Sequence, residues 1–187
     1  MNKEDALIVI DMQNDFMPGG SLGVAGGNEL PSLINAAAGK FDNVIYSKDW
    51  HPADHCSFTI WPPHCVQYTF GAQLVESLIL PKNAKIVYKG MNSHVDSYSA
   101  FFDNDHTTKT ALDDYLRRIN VKKLYFCGVA YDFCVKFSVL DAAKLGYDTF
   151  LISDLVKGIA SSPYNRDDVK KELSDNNVKF IELKNIK

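Results

Sequence analysis

An acid, an amine and a thiol each follow a short apolar run: Asp11 after ALIVI, Lys89 after KIVY, and Cys134 shortly after KKLYFCGVA. A thiol attacks acyl carbon as the thiolate, so it needs a group to take its proton and a charge to steady the anion. No histidine pairs obviously with Cys134. A carboxylate such as Asp11, its pKa raised by partial burial, can take the thiol proton, while the Lys89 ammonium steadies the anion and holds the carboxylate in place. A second constellation lies in SKDWHPADHCSFTIWPPHC, residues 47 to 65. Asp49 and His51 are two positions apart and share a side of an extended segment. His64 returns in a Trp-Pro-Pro-His turn. One carboxylate and two imidazoles suit a divalent transition metal with coordination positions left open. His55 is either a fourth ligand or part of the loop lining. Cys56 and Cys65 each adjoin a histidine, so in extended chain they face away from it. Taken singly, Asp11 is a turn cap, Lys89 a solvated strand end and Cys134 a core thiol.

These residues need a scaffold that gathers them. Six runs rich in Val, Ile, Tyr and Phe read as strands: ALIVID (6–11), NVIYSKD (43–49), AKIVYKG (84–90), KKLYFCGV (122–129), DTFLISD (148–154) and VKFIEL (178–183). Most lack alternation, the pattern of strands buried on both faces. Amphipathic segments lie between them: 29–40, 72–79, 110–119, 132–146 and 165–176. In the fourth, Phe133, Phe137, Leu140 and Lys144 recur at helical spacing, and Gly146 is a natural stop. Strands separated by helices predict a three-layer α/β/α domain over residues 1–187, with a six-stranded, mainly parallel sheet. Right-handed crossovers put every strand's C-terminus on one edge, where open sheets bind ligands. Asp11, Asp49, Lys89 and Asp154 end four of the strands, and Cys134 follows a fifth. Cys134 is expected in the first turn of a helix, where unpaired N–H groups favour a thiolate and can hold an oxyanion. Cys127, in mid-strand, reads as inert core. Phe16, Trp61 and Tyr98 could flank a flat substrate or pack as a lid.

Bulk properties narrow the partners. The chain has 187 residues, 46% hydrophobic and 23% charged, which suits one globular domain. A net charge of −3 without a basic run argues against nucleic acid or an anionic membrane surface. No apolar stretch approaches the ~20 residues of a membrane span, and ALIVID is too short for a signal peptide's apolar core. A cytoplasmic location is expected, with the nucleus added in a eukaryote. The four cysteines have no CxxC spacing, which disfavours a tetrathiolate zinc site, and in a reducing compartment thiols are expected rather than disulfides. A homo-oligomer is compatible with the composition.

Over nearly its whole length the chain resembles the nicotinamidase group of the isochorismatase-like cysteine hydrolases. The motifs come in order: IDMQNDF with GGSLGV, SKDWHPADHCSF with WPPHCV, YKGMNSHVDSYSAFFDN, and CGVAYDFCVKFSVLDAAKLGY. The resemblance implies Asp11 as proton acceptor, Lys89 as stabilising cation and Cys134 as nucleophile. It implies Asp49, His51 and His64 as ligands to one divalent ion, with zinc first and iron or manganese as alternatives; His55 matches a position that ligates in some members. It further implies an oxyanion hole from the backbone N–H groups of Ala130 and Cys134, a cis peptide before Ala130, and ring walls from Phe16 and Trp61. The implied reaction is hydrolysis of nicotinamide, and of pyrazinamide, through a cysteine thioester, in salvage of nicotinamide dinucleotide. The segment Cys56–Trp61 is shorter than in many relatives, and Phe133 stands where many have Tyr or His. The alternatives are a related hydrolase acting on a carbamoyl amide or an isochorismate-like ether, and a non-catalytic metal or thiol sensor.

Overall fold

The computed structural model describes residues 2–159 and 162–186. Its six strands are β1 (Asp5–Ile10), β2 (Asn43–Asp49), β3 (Lys85–Lys89), β4 (Lys123–Val129), β5 (Asp148–Lys157) and β6 (Lys179–Ile181). They form one sheet in the order β3-β2-β1-β4-β5-β6. Every neighbouring pair is parallel, so the sheet expected to be mainly parallel is wholly so among the described residues. Strand order reverses between β1 and β4, which makes a crevice beyond their carboxyl ends. Asp11 lies just past β1, and Cys134 just past β4.

Four α-helices cover the sheet: α1 (Leu30–Ala38), α2 (Leu112–Arg118), α3 (Lys136–Lys144) and α4 (Arg166–Asp175). One core cluster joins Ile8 and Phe126 to Leu112 and Leu116 of α2, Val139 of α3 and Leu173 of α4. The other joins Leu7 and Val9 to Leu30 and Ile34 of α1. Alternate residues of β1 thus feed opposite layers, as the two-residue pleat requires. α3 ends in a left-handed Gly146 (φ +90°), with Tyr147 N–H donating to the Ala142 carbonyl and Gly146 N–H to that of Ala143. That is a Schellman ending, and it uses the expected glycine. α4 starts at Asn165, whose side chain accepts from the Asp167 N–H at 2.8 Å.

Three expectations need correction. Residues 72–79 form turns, not a helix. Their backbone bonds outward instead: Val75 N–H donates to Met12, Asn14 N–H donates to Gln73, and Leu74 bridges Gln13. Val75 and Leu78, three apart, pack into the second core cluster and so mimic a helical stripe. β5 runs past Asp154 to Lys157, and the Asp154 carboxylate accepts from the Leu183 N–H at 3.0 Å, away from the other strand ends. Burial on both faces describes β1, β2 and β4, but the edge strand β3 is less covered, with Tyr88 exposed between buried Val87 and Lys89 and Lys85 exposed at its start. No helix among the described residues is long and apolar enough to cross a membrane.

Candidate active site and metal centre

Immediately after β1 the chain turns sharply at Asp11, which takes a left-handed conformation (φ +49°) that aspartate tolerates better than most residues. Ser47 of β2 fixes it: the Asp11 N–H donates to Ser47 Oγ at 3.2 Å, and that hydroxyl donates to Asp11 Oδ1 at 2.6 Å. Lys89 ends β3 and reaches inward with its ammonium wholly buried. The ammonium lies 3.0 Å from Asp11 Oδ2, donates to the Ser97 carbonyl at 2.8 Å and to Asp49 Oδ1, and stands 3.5 Å from Cys134 Sγ. Asp11, Asp49 and Cys134 have donor atoms within 4.8 Å of one another. The structure thus gathers the acid, the amine and the thiol around one buried cation.

Burial and charge oppose each other in this cluster. Burial would depress the Lys89 ammonium, but Asp11 and Asp49 carry its pKa well above the ordinary lysine value. Burial raises the Asp11 carboxyl, and Lys89 only partly offsets that. For Asp49 the balance reverses: burial pushes up, yet Lys89 and His51 hold it well below the usual carboxylate range. Burial pushes the Cys134 thiol well above its ordinary value, with Lys89 opposing. Cys134 lies in a π-helical turn (Tyr131–Val135) that runs directly into α3, is 7% exposed, and stands beside a carboxyl able to take its proton. The turn begins at Ala130, whose carbonyl accepts from the N–H groups of Phe133 and Val135, and the Val129–Ala130 peptide is cis.

The metal candidates come from the end of β2 and the loop after it. Asp49 Oδ2 lies 3.7 Å from His51 Nε2 and 4.0 Å from His64 Nε2. His51 Nδ1 faces the Gly90 carbonyl at 2.8 Å, and His64 Nδ1 faces that of Pro62 at 2.8 Å. A carbonyl only accepts, so each Nδ1 carries the hydrogen and each Nε2 turns a lone pair toward Asp49. His51 Nε2 is buried with no hydrogen-bond partner. A buried, unsatisfied nitrogen is costly, and an ion bound here would satisfy it. The donor set fits a divalent transition metal. Gly90 (φ +61°) is part of the design: a Cβ there would sit 2.4 Å from His51 Cε1.

His55 stands apart. Its ring stacks on His51, with centroids 3.9 Å apart and planes 20° from parallel, and its Nδ1 meets Ser57 Oγ at 2.7 Å. Its Nε2, like that of His51, is buried with no hydrogen-bond partner. His55 groups instead with His51 and Asp96. All four cysteines are free; Cys65 and Cys127 are buried, and neither Cys56 nor Cys65 falls in a metal-ligating group. Burial alone pushes the Cys127 thiol far up, as suits inert core.

A narrow cleft lies over the nucleophile and the metal donors, lined by Cys134, Asp49 and His64. Phe16, Trp61, Tyr98 and Phe133 supply aromatic walls. Trp61 Nε1 donates to Tyr98 Oη at 3.3 Å, and the Trp61 ring meets Phe133 edge-on at 5.1 Å. Phe133 makes further ring contacts with Tyr98 and Tyr164. Sequence reasoning does not single out Asp96 or Ile159, which also line the cleft. Both sit in loops that bear no periodic pattern. Asp96 shares a segment with Lys89, the one cue that could have drawn attention to it.

The isochorismatase domain family matches residues 5–183. The chain is 42% identical to the nicotinamidase of Escherichia coli (strain K12) over 181 residues, covering 84% of this chain and 85% of that protein. It superposes on a nicotinamidase/pyrazinamidase of Acinetobacter baumannii with a TM-score of 0.96, at 36% identity and full coverage of both chains. A Pyrococcus horikoshii pyrazinamidase in complex with zinc gives a TM-score of 0.87 at 38% identity, covering 96% of this chain and 99% of that one. The chain belongs to the isochorismatase family of hydrolases, and several of its relatives at 34–42% identity are nicotinamidases.

Proposed function

We propose that the chain hydrolyses nicotinamide to nicotinate and ammonia through a thioester on Cys134. The observation that carries this reading is the single buried ammonium of Lys89, which touches Asp11, Asp49 and Cys134 at the floor of an aromatic cleft. In the first half-reaction Asp11 takes the Cys134 proton while Sγ attacks the carboxamide carbon. The oxyanion that forms is received by the N–H groups of Ala130 and Cys134. As the C–N bond breaks, Asp11 returns the proton to the departing amine and ammonia leaves. In the second half Asp11 takes a proton from water, whose oxygen attacks the thioester. The C–S bond breaks, nicotinate leaves, and the thiol is restored. Throughout, Lys89 stays charged and limits the cost of anions at Sγ and Asp11.

Asp49, His51 and His64 would hold a divalent ion, zinc before iron or manganese. Such an ion would supply a Lewis acid beside the substrate ring, and these three side chains would hold it there. Phe16 and Trp61 flank the ring, and Tyr98 braces Trp61. His55 serves beside the metal set rather than within it. The zinc in the Pyrococcus horikoshii structure supports this assignment. Pyrazinamide, which differs by one ring nitrogen, fits the same reading. So does a place in nicotinamide dinucleotide salvage, in a cytoplasmic enzyme that works alone or as a homo-oligomer. Aromatic walls and a metal donor set favour a flat nitrogen heterocycle over a carbamoyl amide or an isochorismate-like ether.

Ammonia release from nicotinamide by the purified, metal-loaded protein is the direct test, with Cys134→Ala alongside. The parent should turn over and the variant should not. Equal release from both would remove Cys134 from the mechanism, and no release from the parent would remove the substrate.

A further inference from the structure

We propose that Gln13 is a positioning residue that fastens the metal ligand Asp49 to the segment carrying the general base; the inference rests on the roles given above to Asp11 and Asp49. The β1–β2 ladder ends at the pair Val9↔Tyr46. Beyond it the first strand's chain swings away at Asp11, while β2 runs on to Asp49. On that flank the backbone of Asp49 has lost its strand partner, and the Gln13 side chain replaces it. Gln13 Oε1 accepts from the Asp49 N–H at 2.8 Å, and Gln13 Nε2 donates to the Asp49 carbonyl at 2.7 Å. The amide's second N–H goes to the Ala72 carbonyl at 3.0 Å. Both donors and the acceptor of the amide are engaged, on a side chain that is 0% exposed.

The primary amide thus imitates a peptide unit and extends the sheet by one pair. On the other flank Asp49 pairs with Lys89 of β3. Asp49 is held from both sides, and its carboxylate has little freedom to follow anything else. Gln13 is anchored to the base as well, since its own N–H donates to the Asp11 carbonyl at 2.8 Å. Gln13 does not line the cleft, so it acts through Asp49 and Asp11 and touches no reacting group. Its neighbour Asn14 offers a matched control: the Asn14 side chain donates to the Phe70 carbonyl at 2.9 Å and makes no bond to Asp49.

The test uses zinc itself. Gln13→Glu keeps the length of the side chain but loses both amide donors; Gln13→Met keeps its bulk and loses every hydrogen bond. Zinc affinity is measured by chelator competition on the parent, both variants and Asn14→Ala, and the visible spectrum of the cobalt-loaded forms is recorded. Both Gln13 variants should bind zinc about tenfold to a hundredfold more weakly, the usual consequence of losing a ligand's supporting bond. Their cobalt bands should shift, while Asn14→Ala matches the parent in both respects. Affinity and spectrum within twofold of the parent in the Gln13 variants would overturn the proposal. An equal loss in Asn14→Ala would also overturn it, as would failure of both Gln13 variants to fold, because Gln13 would then act on the fold at large. Zinc binding needs no substrate. A parent that binds zinc but releases no ammonia overturns the amidase reading alone, and a parent that releases ammonia but binds no zinc overturns the Gln13 proposal alone.

Discussion

Strand ends and the turn after β4 hold the acid–amine–thiol cluster, whereas the loop after β2 holds most of the metal set and one cleft wall, Trp61. Asp11 and Lys89 adjoin paired strands, and their side chains are wholly buried. His64 and Trp61 sit in a loop braced by side-chain contacts, such as the 2.8 Å bond from His64 Nδ1 to Pro62, the 3.3 Å bond from Trp61 to Tyr98 and the Trp61–Phe133 ring contact. The first region is rigid because the sheet cannot move without losing its ladder. The second has no strand ladder and is held instead by scattered backbone bonds, such as His51 N–H to the Cys65 carbonyl and Gln67 N–H to the His51 carbonyl, and by ring contacts. The sheet edge therefore fixes the chemistry, and the loop sets how a ring is presented to it.

Substitutions in the two regions should differ in kind. The largest effect is expected for Lys89→Met, which leaves Asp11 and Asp49 buried without their shared cation. It should cost about 3–5 kcal/mol of stability and abolish measurable ammonia release. Urea unfolding and the activity assay check both, and a stable, active variant would break the contrast. His51→Ala should come next: bound metal falls to background by elemental analysis, while the unfolding midpoint moves far less than for Lys89→Met. Gly90→Ala should weaken zinc binding about tenfold to a hundredfold, since its Cβ would press on the His51 ring that the Gly90 carbonyl orients. Chelator competition measures it, and parental affinity would mean the loop yields more than the ring contact allows. The smallest change is expected for Trp61→Phe, which removes one neutral hydrogen bond. A KM for nicotinamide about twofold to tenfold higher, with kcat little changed, would place Trp61 in ring presentation only.

The same division governs what the sequence discloses. Central strands announce themselves: β1 and β4 are apolar runs because both their faces are buried, and β2 matches its expected limits of 43 and 49 residue for residue. Residues adjoining those runs are therefore easy to gather at one edge. Asp154 is the exception, because β5 continues past it to Val156 and Lys157, which pair with β4 after a register shift. Residues 72–79 mislead for a related reason. Two apolar residues three apart satisfy a helical pattern, but the backbone there bonds to the chain around Gln13 instead. Asp96, Ile159 and Gln13 stay hidden because their importance lies in which distant atoms they meet. The stacking of His55 on His51 is a fact of loop geometry that spacing cannot express.

The pairing of β1 with β4 also dictates an order of events during synthesis. Cys127 of β4 contacts the carbonyl of Ile8, 119 positions earlier in the chain. The base, the metal ligands and Lys89 all leave the ribosome before the strand that leads to the nucleophile. Until it arrives, one flank of β1 stays unpaired, although all six residues of that strand end up buried. Long-range parallel pairing of this sort folds slowly and leaves sticky edges open in the interim. Nascent chains stalled before residue 123 should therefore aggregate or recruit chaperones, and release past β4 should be the step at which the chain becomes soluble on its own.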